Sequence, residues 1–180
     1  MRILSFLSTV IVCATLLLAA SGAQAITLQS HDLISGHVFA RAQMYPRCGG
    51  SNLAPQLSWA QIPDGAKSLV LTMVDVDVQP SKWSHWVVIN IPPAAASLAP
   101  SQMLPAGSLG LRSNFGDKVY AGPCPPAGTG THHYEITIWA LRAAVFIATD
   151  DEPASALLAR LEASALARAS IVGTASSDSR

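Results

Sequence analysis

Charge is scarce in this 180-residue chain: only 12% of residues are Asp, Glu, Lys or Arg, and the two signs balance at 11 each. With no basic excess there is no face for a nucleic-acid backbone and no polybasic membrane anchor. Cysteine is also sparse. Of the three (Cys13, Cys48, Cys124), none belongs to a CxxC pair or stands at zinc spacing from a histidine, so neither a structural zinc nor another cofactor is expected. An HExxH motif, a nucleophile elbow and a glycine-rich phosphate loop are all missing. Those absences remove the usual signatures of metalloproteases, α/β-hydrolases and P-loop enzymes. No internal repeat is visible.

What is present begins with an apolar run over residues 3–20, preceded by Arg2 and followed by the small-x-small site Ala23-Gln24-Ala25. Residues 1–25 therefore read as a cleavable secretory signal peptide, cut after Ala25, which sends the protein to the periplasm or the exterior. The rival reading is a retained anchor, but no cationic stop follows the run. Cys13 lies inside the apolar core of the leader, without the residues a lipoprotein cleavage site needs. Residues 26–175 then form one domain, with 176–180 as a loose polar tail.

Cleavage leaves Cys48 and Cys124. An even pair in an oxidising compartment reads as one disulfide, the alternative being two buried thiols. Twelve prolines and twelve glycines punctuate the chain, which suits many short strands. Residues 69–77 are a β-branched, apolar stretch in which Leu69, Leu71, Met73, Asp75 and Asp77 share one face by the period of two. A second strand over 85–91 stops at Pro92-Pro93. In a third, 132–140, His132, Tyr134, Ile136 and Ile138 share a side while His133 points away. The segment 92–110 reads as irregular. Asp150 or Asp151 is expected to cap a helix carrying Pro153 in its first turn and Leu157, Leu158, Leu161 and Ala165 on its apolar stripe. A short strand over 170–173 follows. The predicted fold class is mainly β.

Several residues stand out from packing alone. Asp75 and Asp77 end an apolar strand face with two carboxylates, which suits a polar rim or half of a metal site; a strand emerging into solvent is the bland alternative. In Trp83-Ser84-His85-Trp86, two indoles flank an imidazole, as in the wall of a pocket. The 128–131 segment Gly-Thr-Gly-Thr offers backbone N–H groups beside His132. Gly122-Pro123-Cys124-Pro125-Pro126 is the most specific feature, since three prolines stiffen the loop and strip it of donors.

In this order the pieces resemble the phosphatidylethanolamine-binding protein family, especially its bacterial Raf-kinase-inhibitor-like branch. The resemblance is carried by residues 48–59 (Cys-Gly-Gly-Ser-Asn-Leu-Ala-Pro-Gln-Leu-Ser-Trp), by Asp75-Val76-Asp77 and by Trp83-Ser84-His85-Trp86. Asn114-Phe115-Gly116 and residues 122–126 through His132-His133-Tyr134 complete it. It implies an antiparallel Greek-key β-sandwich with peripheral helices and a small cavity for phosphate or the phosphoryl head of a lipid. Position by position it implies a ligand-binding set of Asp75, Asp77, Trp83, His85, Pro125, Pro126, His132 and Tyr134. One aspartate is expected to orient an imidazole instead of touching the ligand. The chain departs from the family where Val76 replaces a proline of the usual Asp-Pro-Asp-Ala-Pro rim, with Pro80 displaced along the chain, and where Arg142 replaces an aspartate.

Function then reads as an exported, non-catalytic binding protein for a small anionic ligand, with a protein partner as a variant of that role. The contrasting reading is a metal-dependent phosphoester hydrolase using Asp75, Asp77, His85 and His132. A third is a structural module with a vestigial cavity.

Overall fold

The computed structural model describes residues 25–100 and 103–176. The predicted leader, apart from Ala25, and the tail beyond Ser176 lie outside the described residues. Among the described residues are eight strands, one α-helix and two short 3-10 helices (Arg41–Gln43 and Pro46–Cys48), the strands and the α-helix being β1 (Thr27–Gln29), β2 (Leu57–Ala60), β3 (Ser68–Asp75), β4 (Trp83–Ile91), β5 (Ser97–Leu98), β6 (Leu109–Leu111), β7 (Thr131–Leu141), α1 (Ala154–Ser164) and β8 (Ala165–Ser176). They form two antiparallel sheets, a three-stranded one in the order β1-β2-β5 and a five-stranded one in the order β6-β4-β3-β7-β8.

The period of two along β3 explains the layering. Leu69, Leu71 and Met73 turn toward the small sheet and meet Leu28, Leu57, Trp59 and Leu98 from it. Val70 turns the other way, into a second cluster with Val87, Ile89, Trp139 and Leu141, which Leu157 and Leu161 of α1 cover. With both faces covered, all eight residues of β3 are buried, and five of them (Leu69, Val70, Leu71, Met73 and Val74) are apolar. Trp139 on the helix side satisfies its indole N–H with the Thr72 hydroxyl at 2.9 Å.

Four expectations need correction. The helix begins at Ala154, with Pro153 as its cap position and no side-chain cap; Asp150 instead pairs with Lys118 at 2.7 Å and accepts the Arg112 N–H at 2.9 Å. It ends at Ser164, so Ala165 and Arg168 belong to β8. That strand has twelve residues instead of the four expected over 170–173, and it pairs with β7 along its length. The alanine-rich sequence favours helix locally, but pairing with β7 overrides so weak a preference. The 92–110 stretch, read as irregular, contains β5 and the start of β6. Trp86 faces the core near Tyr120 and is not among the residues lining the cavity at the sheet end; its indole N–H has no hydrogen-bond partner among the described residues.

The strand edge at β8 supports the sheet end through one close approach. Gly173 lies opposite Tyr134, and the Phe39 ring rests on it while meeting Tyr134 edge-on at 5.7 Å. A Cβ at Gly173 would run into that ring. Gly173→Ala is expected to lower stability by about 1–3 kcal/mol in urea unfolding, the usual cost of overpacking.

Candidate functional site

At the end of the large sheet the same register that builds the core delivers polar groups. Asp75, the last residue of β3, is opposite Tyr134 of β7 and Trp83 of β4. A register shift beside Met73 leaves His85 out of the ladder, so that His85 and Trp86 both lean toward the sandwich interior. His85 thereby meets the Tyr134 ring edge-on at 5.0 Å and the Phe115 ring at 5.0 Å. Asp75, Trp83, His85 and Tyr134 face a cavity of about 820 Å³ whose far side is Pro125 and Pro126.

Asp75 is 4% exposed, and a carboxylate so buried is costly unless its oxygens are occupied. Oδ2 meets His132 Nδ1 at 2.6 Å, and Oδ1 accepts the Asp77 N–H at 3.0 Å. On its far side, His132 Nε2 is 2.9 Å from Thr129 Oγ1, and that hydroxyl donates to the Pro126 carbonyl at 2.8 Å. One line of polar contacts thus runs from the cavity floor to the proline wall. His132 does not line the cavity itself; it holds Asp75 on one side and the 126–129 turn on the other.

His85 is 2% exposed, and its Nδ1 lies 2.8 Å from the Ala121 carbonyl. A carbonyl only accepts, so Nδ1 carries the proton of the neutral ring and Nε2 the lone pair. Burial pushes the imidazole from its ordinary 6.5 down to about 4, against the opposing pull of the Ala121 carbonyl and the Asp75 charge. Burial, reinforced by Asp75, holds the Tyr134 phenol well above its ordinary range, so it remains a neutral hydroxyl.

The two aspartates part company. The chain leaves the strand after Asp75, and Asp77 is exposed outside the cavity lining. Its Oδ2 accepts the His133 N–H at 2.6 Å and lies 3.0 Å from His133 Nδ1. Slight burial works to raise the Asp77 pKa, but the contacts with His133 prevail and hold it below the ordinary 3.8. Asp75, Asp77, His85 and His132 therefore do not converge on one point. Among the described residues no three His, Cys, Asp or Glu side chains are grouped to hold a metal ion.

The proline loop is fastened from outside the sheet. Cys48 and Cys124 are disulfide-bonded, with Cα atoms 5.5 Å apart, and Tyr45 N donates to Pro123 O at 3.0 Å. Asn52 bridges the same segments: its Nδ2 donates to Tyr120 O and its Oδ1 accepts the Gly122 N–H, each at 2.8 Å. Gly122 is required here, because a Cβ would collide with the Gln43 carbonyl and the backbone of Met44 and Tyr45. This closure brings Tyr45 and Arg47 to the cavity, joined by Asn114 and Phe115 from the β6–β7 connection. Sequence reasoning assigned no ligand role to these four. The available signals were the Asn-Phe-Gly match at 114–116 and the position of Arg47 immediately before a cysteine bonded to the proline loop.

The described residues thus fold as an antiparallel sandwich with a walled cavity at the end of its larger sheet. Residues 29–176 match the profile of the phosphatidylethanolamine-binding protein family, and the chain belongs to that family. Escherichia coli YbcL is 34% identical over 147 residues, which cover 76% of this chain and 80% of YbcL. The crystal structure of E. coli YbcL, described as a member of the mammalian PEBP family, superposes with a TM-score of 0.76 at 28% identity, covering 83% of this chain and 96% of that one. A Mycobacterium tuberculosis protein catalogued as a candidate lipoprotein, LppC, is 44% identical over 98 residues. That match spans 54% of this chain and about half of LppC, at 48%.

The disulfide closes a separation of 76 residues, for which loop entropy predicts a contribution of roughly 4 kcal/mol. Replacing both cysteines by alanine is expected to cost about 2–4 kcal/mol in urea unfolding. Hydrogen exchange should rise first at residues 121–129, which the bridge holds against the 43–48 segment.

Proposed function

We propose that this chain is an exported, non-catalytic binding protein whose cavity takes a small anionic group such as phosphate or a phosphoryl head group. The observation that carries the reading is the cavity itself, where a buried imidazole, a neutral phenol and a carboxylate already held by His132 line the same space. Membership of a family named for phosphatidylethanolamine binding supports it. Export is supported by the leader-like sequence, by the disulfide and by the candidate lipoprotein among the relatives.

Binding an anion here is coupled to a proton. Free His85 is neutral at pH 7, with its lone pair on Nε2, and cannot donate through that atom to an anion. Because its folded pKa of about 4 lies below the ordinary 6.5, the unfolded chain takes up the proton first on acidification. The His85 contribution therefore lowers the stability of the free protein as pH falls from 6.5 toward 4. An anion against the ring raises that pKa, so binding takes up a proton and tightens as pH falls.

Sulfate is the suitable probe, since its charge is constant over this range. Calorimetric titration should show affinity rising between pH 8 and pH 5, approaching roughly tenfold per unit where one proton is taken up. His85→Gln should flatten the profile. Tight binding with no pH dependence would remove His85 from the account, and no sulfate binding at any pH would remove the anion reading.

A further inference from the structure

The cavity contains a fixed positive charge that the floor does not use. Arg47 lines it, is exposed, and has no hydrogen bond or ion pair with another side chain among the described residues. Asn114 lines it too. The Asn114 Oδ1 accepts the Ser84 backbone N–H at 2.6 Å and the Ser84 hydroxyl at 2.8 Å. A backbone N–H only donates, so the amide orientation is set and Nδ2 is the end turned away from Ser84. Nδ2 has no acceptor among the described residues. The segments bearing these two donors are joined by the Tyr45–Phe115 ring contact, with centroids 4.5 Å apart.

Size and wall chemistry narrow what else the ligand carries. A tetrahedral oxyanion displaces about three waters, on the order of 90 Å³, and so leaves most of the roughly 820 Å³ unfilled. The remaining walls are flat: Tyr45, Trp83, Phe115, Pro125 and Pro126. Phe115 is the hub, in contact with Tyr45, with His85 at 5.0 Å and edge-on with Trp83 at 6.0 Å. Val78 is the single open-chain aliphatic side chain in the lining. Such walls favour stacked or edge-on rings over a flexible acyl chain.

We infer that Arg47 and Asn114 form an anion subsite beside the Tyr45–Phe115 contact, and that the ligand is an aromatic organic anion instead of a free inorganic ion or an acyl-chain lipid. This rests on the reading of the cavity as an anion site and names its ligand class. Arg47 supplies charge that is independent of pH, Asn114 adds a neutral donor, and the ring of the ligand packs against Phe115.

Three sulfonates of constant charge separate the contributions: methanesulfonate, hexanesulfonate and benzenesulfonate, titrated at pH 7.5 with Trp fluorescence and calorimetry as readouts. Benzenesulfonate is expected to bind at least about tenfold tighter than methanesulfonate and several-fold tighter than hexanesulfonate. Arg47→Met should weaken all three by about tenfold, and Arg47→Lys by less, since a point charge replaces a fork. Phe115→Leu should remove the advantage of the ring while leaving methanesulfonate unchanged, with thermal melts on the same samples confirming folded protein. Tighter binding of hexanesulfonate than benzenesulfonate would overturn the inference in favour of an acyl-chain ligand. So would unchanged affinities in Arg47→Met, and in either case the anion reading survives. If neither the sulfonates nor sulfate bind the unsubstituted protein, both fall.

Discussion

The contact between the Asp75 carboxylate and the His132 ring is the constraint on which the site depends. A carboxylate at the end of a fully buried strand is tolerated only if both oxygens are engaged, and His132 Nδ1 and the Asp77 N–H do this. Because His132 also reaches Thr129, which in turn donates to Pro126, the compensation of one buried charge sets where the proline wall stands. The cavity is the space left between the end of the sheet and that wall. Asp75 thus has a positioning role: it orients an imidazole and a loop, and its charge is already answered before any ligand arrives.

A second set of restraints comes from the opposite direction. The disulfide, the Tyr45–Pro123 backbone bond and the Asn52 bridge draw the 43–52 segment onto the 120–124 segment. The wall is therefore held both by hydrogen bonds from the sheet and by a covalent clamp from outside it. Pre-organisation of this kind reduces the ordering cost of binding. It also places Arg47 beside a cavity whose own sheet contributes no cation at neutral pH, His85 being unprotonated there.

Much of this was legible in the chain because β-strands write their faces in alternate residues. Asp75 lies on the face of Met73, and His132 on that of Tyr134, as the period of two requires. The proline-rich loop announced rigidity by composition alone. Other features had no local signal. The register shift that turns His85 and Trp86 to the same side depends on pairing with β3, and so two indoles that looked equivalent became one wall residue and one core residue. Asp77 obeyed the period only on paper, since the strand ended two residues before it and His133 captured its carboxylate. The first part of strand β8, residues 165–169, is alanine and arginine around one leucine, which favour helix unless a partner strand is available. Strands β1 and β5 have three and two residues, too short for periodicity to show. Arg47 enters the site through long-range restraints, a disulfide spanning 76 positions and the hydrogen bonds of Tyr45 and Asn52 beside it.

The proposed anion site turns on His85 being a neutral acceptor that the anion converts to a donor, next to a His132 already committed to Asp75. Nitrogen-resolved NMR of the imidazoles during a sulfate titration at pH 6 reads both directly. The expected result is that His85 passes from the neutral, Nδ1-protonated form to the doubly protonated form at saturation, while the Nδ1 signal of His132 remains that of a strong hydrogen bond to a carboxylate. A His85 that stays neutral at saturation, with shifts confined to the exposed His31, His37 and His133, would contradict it.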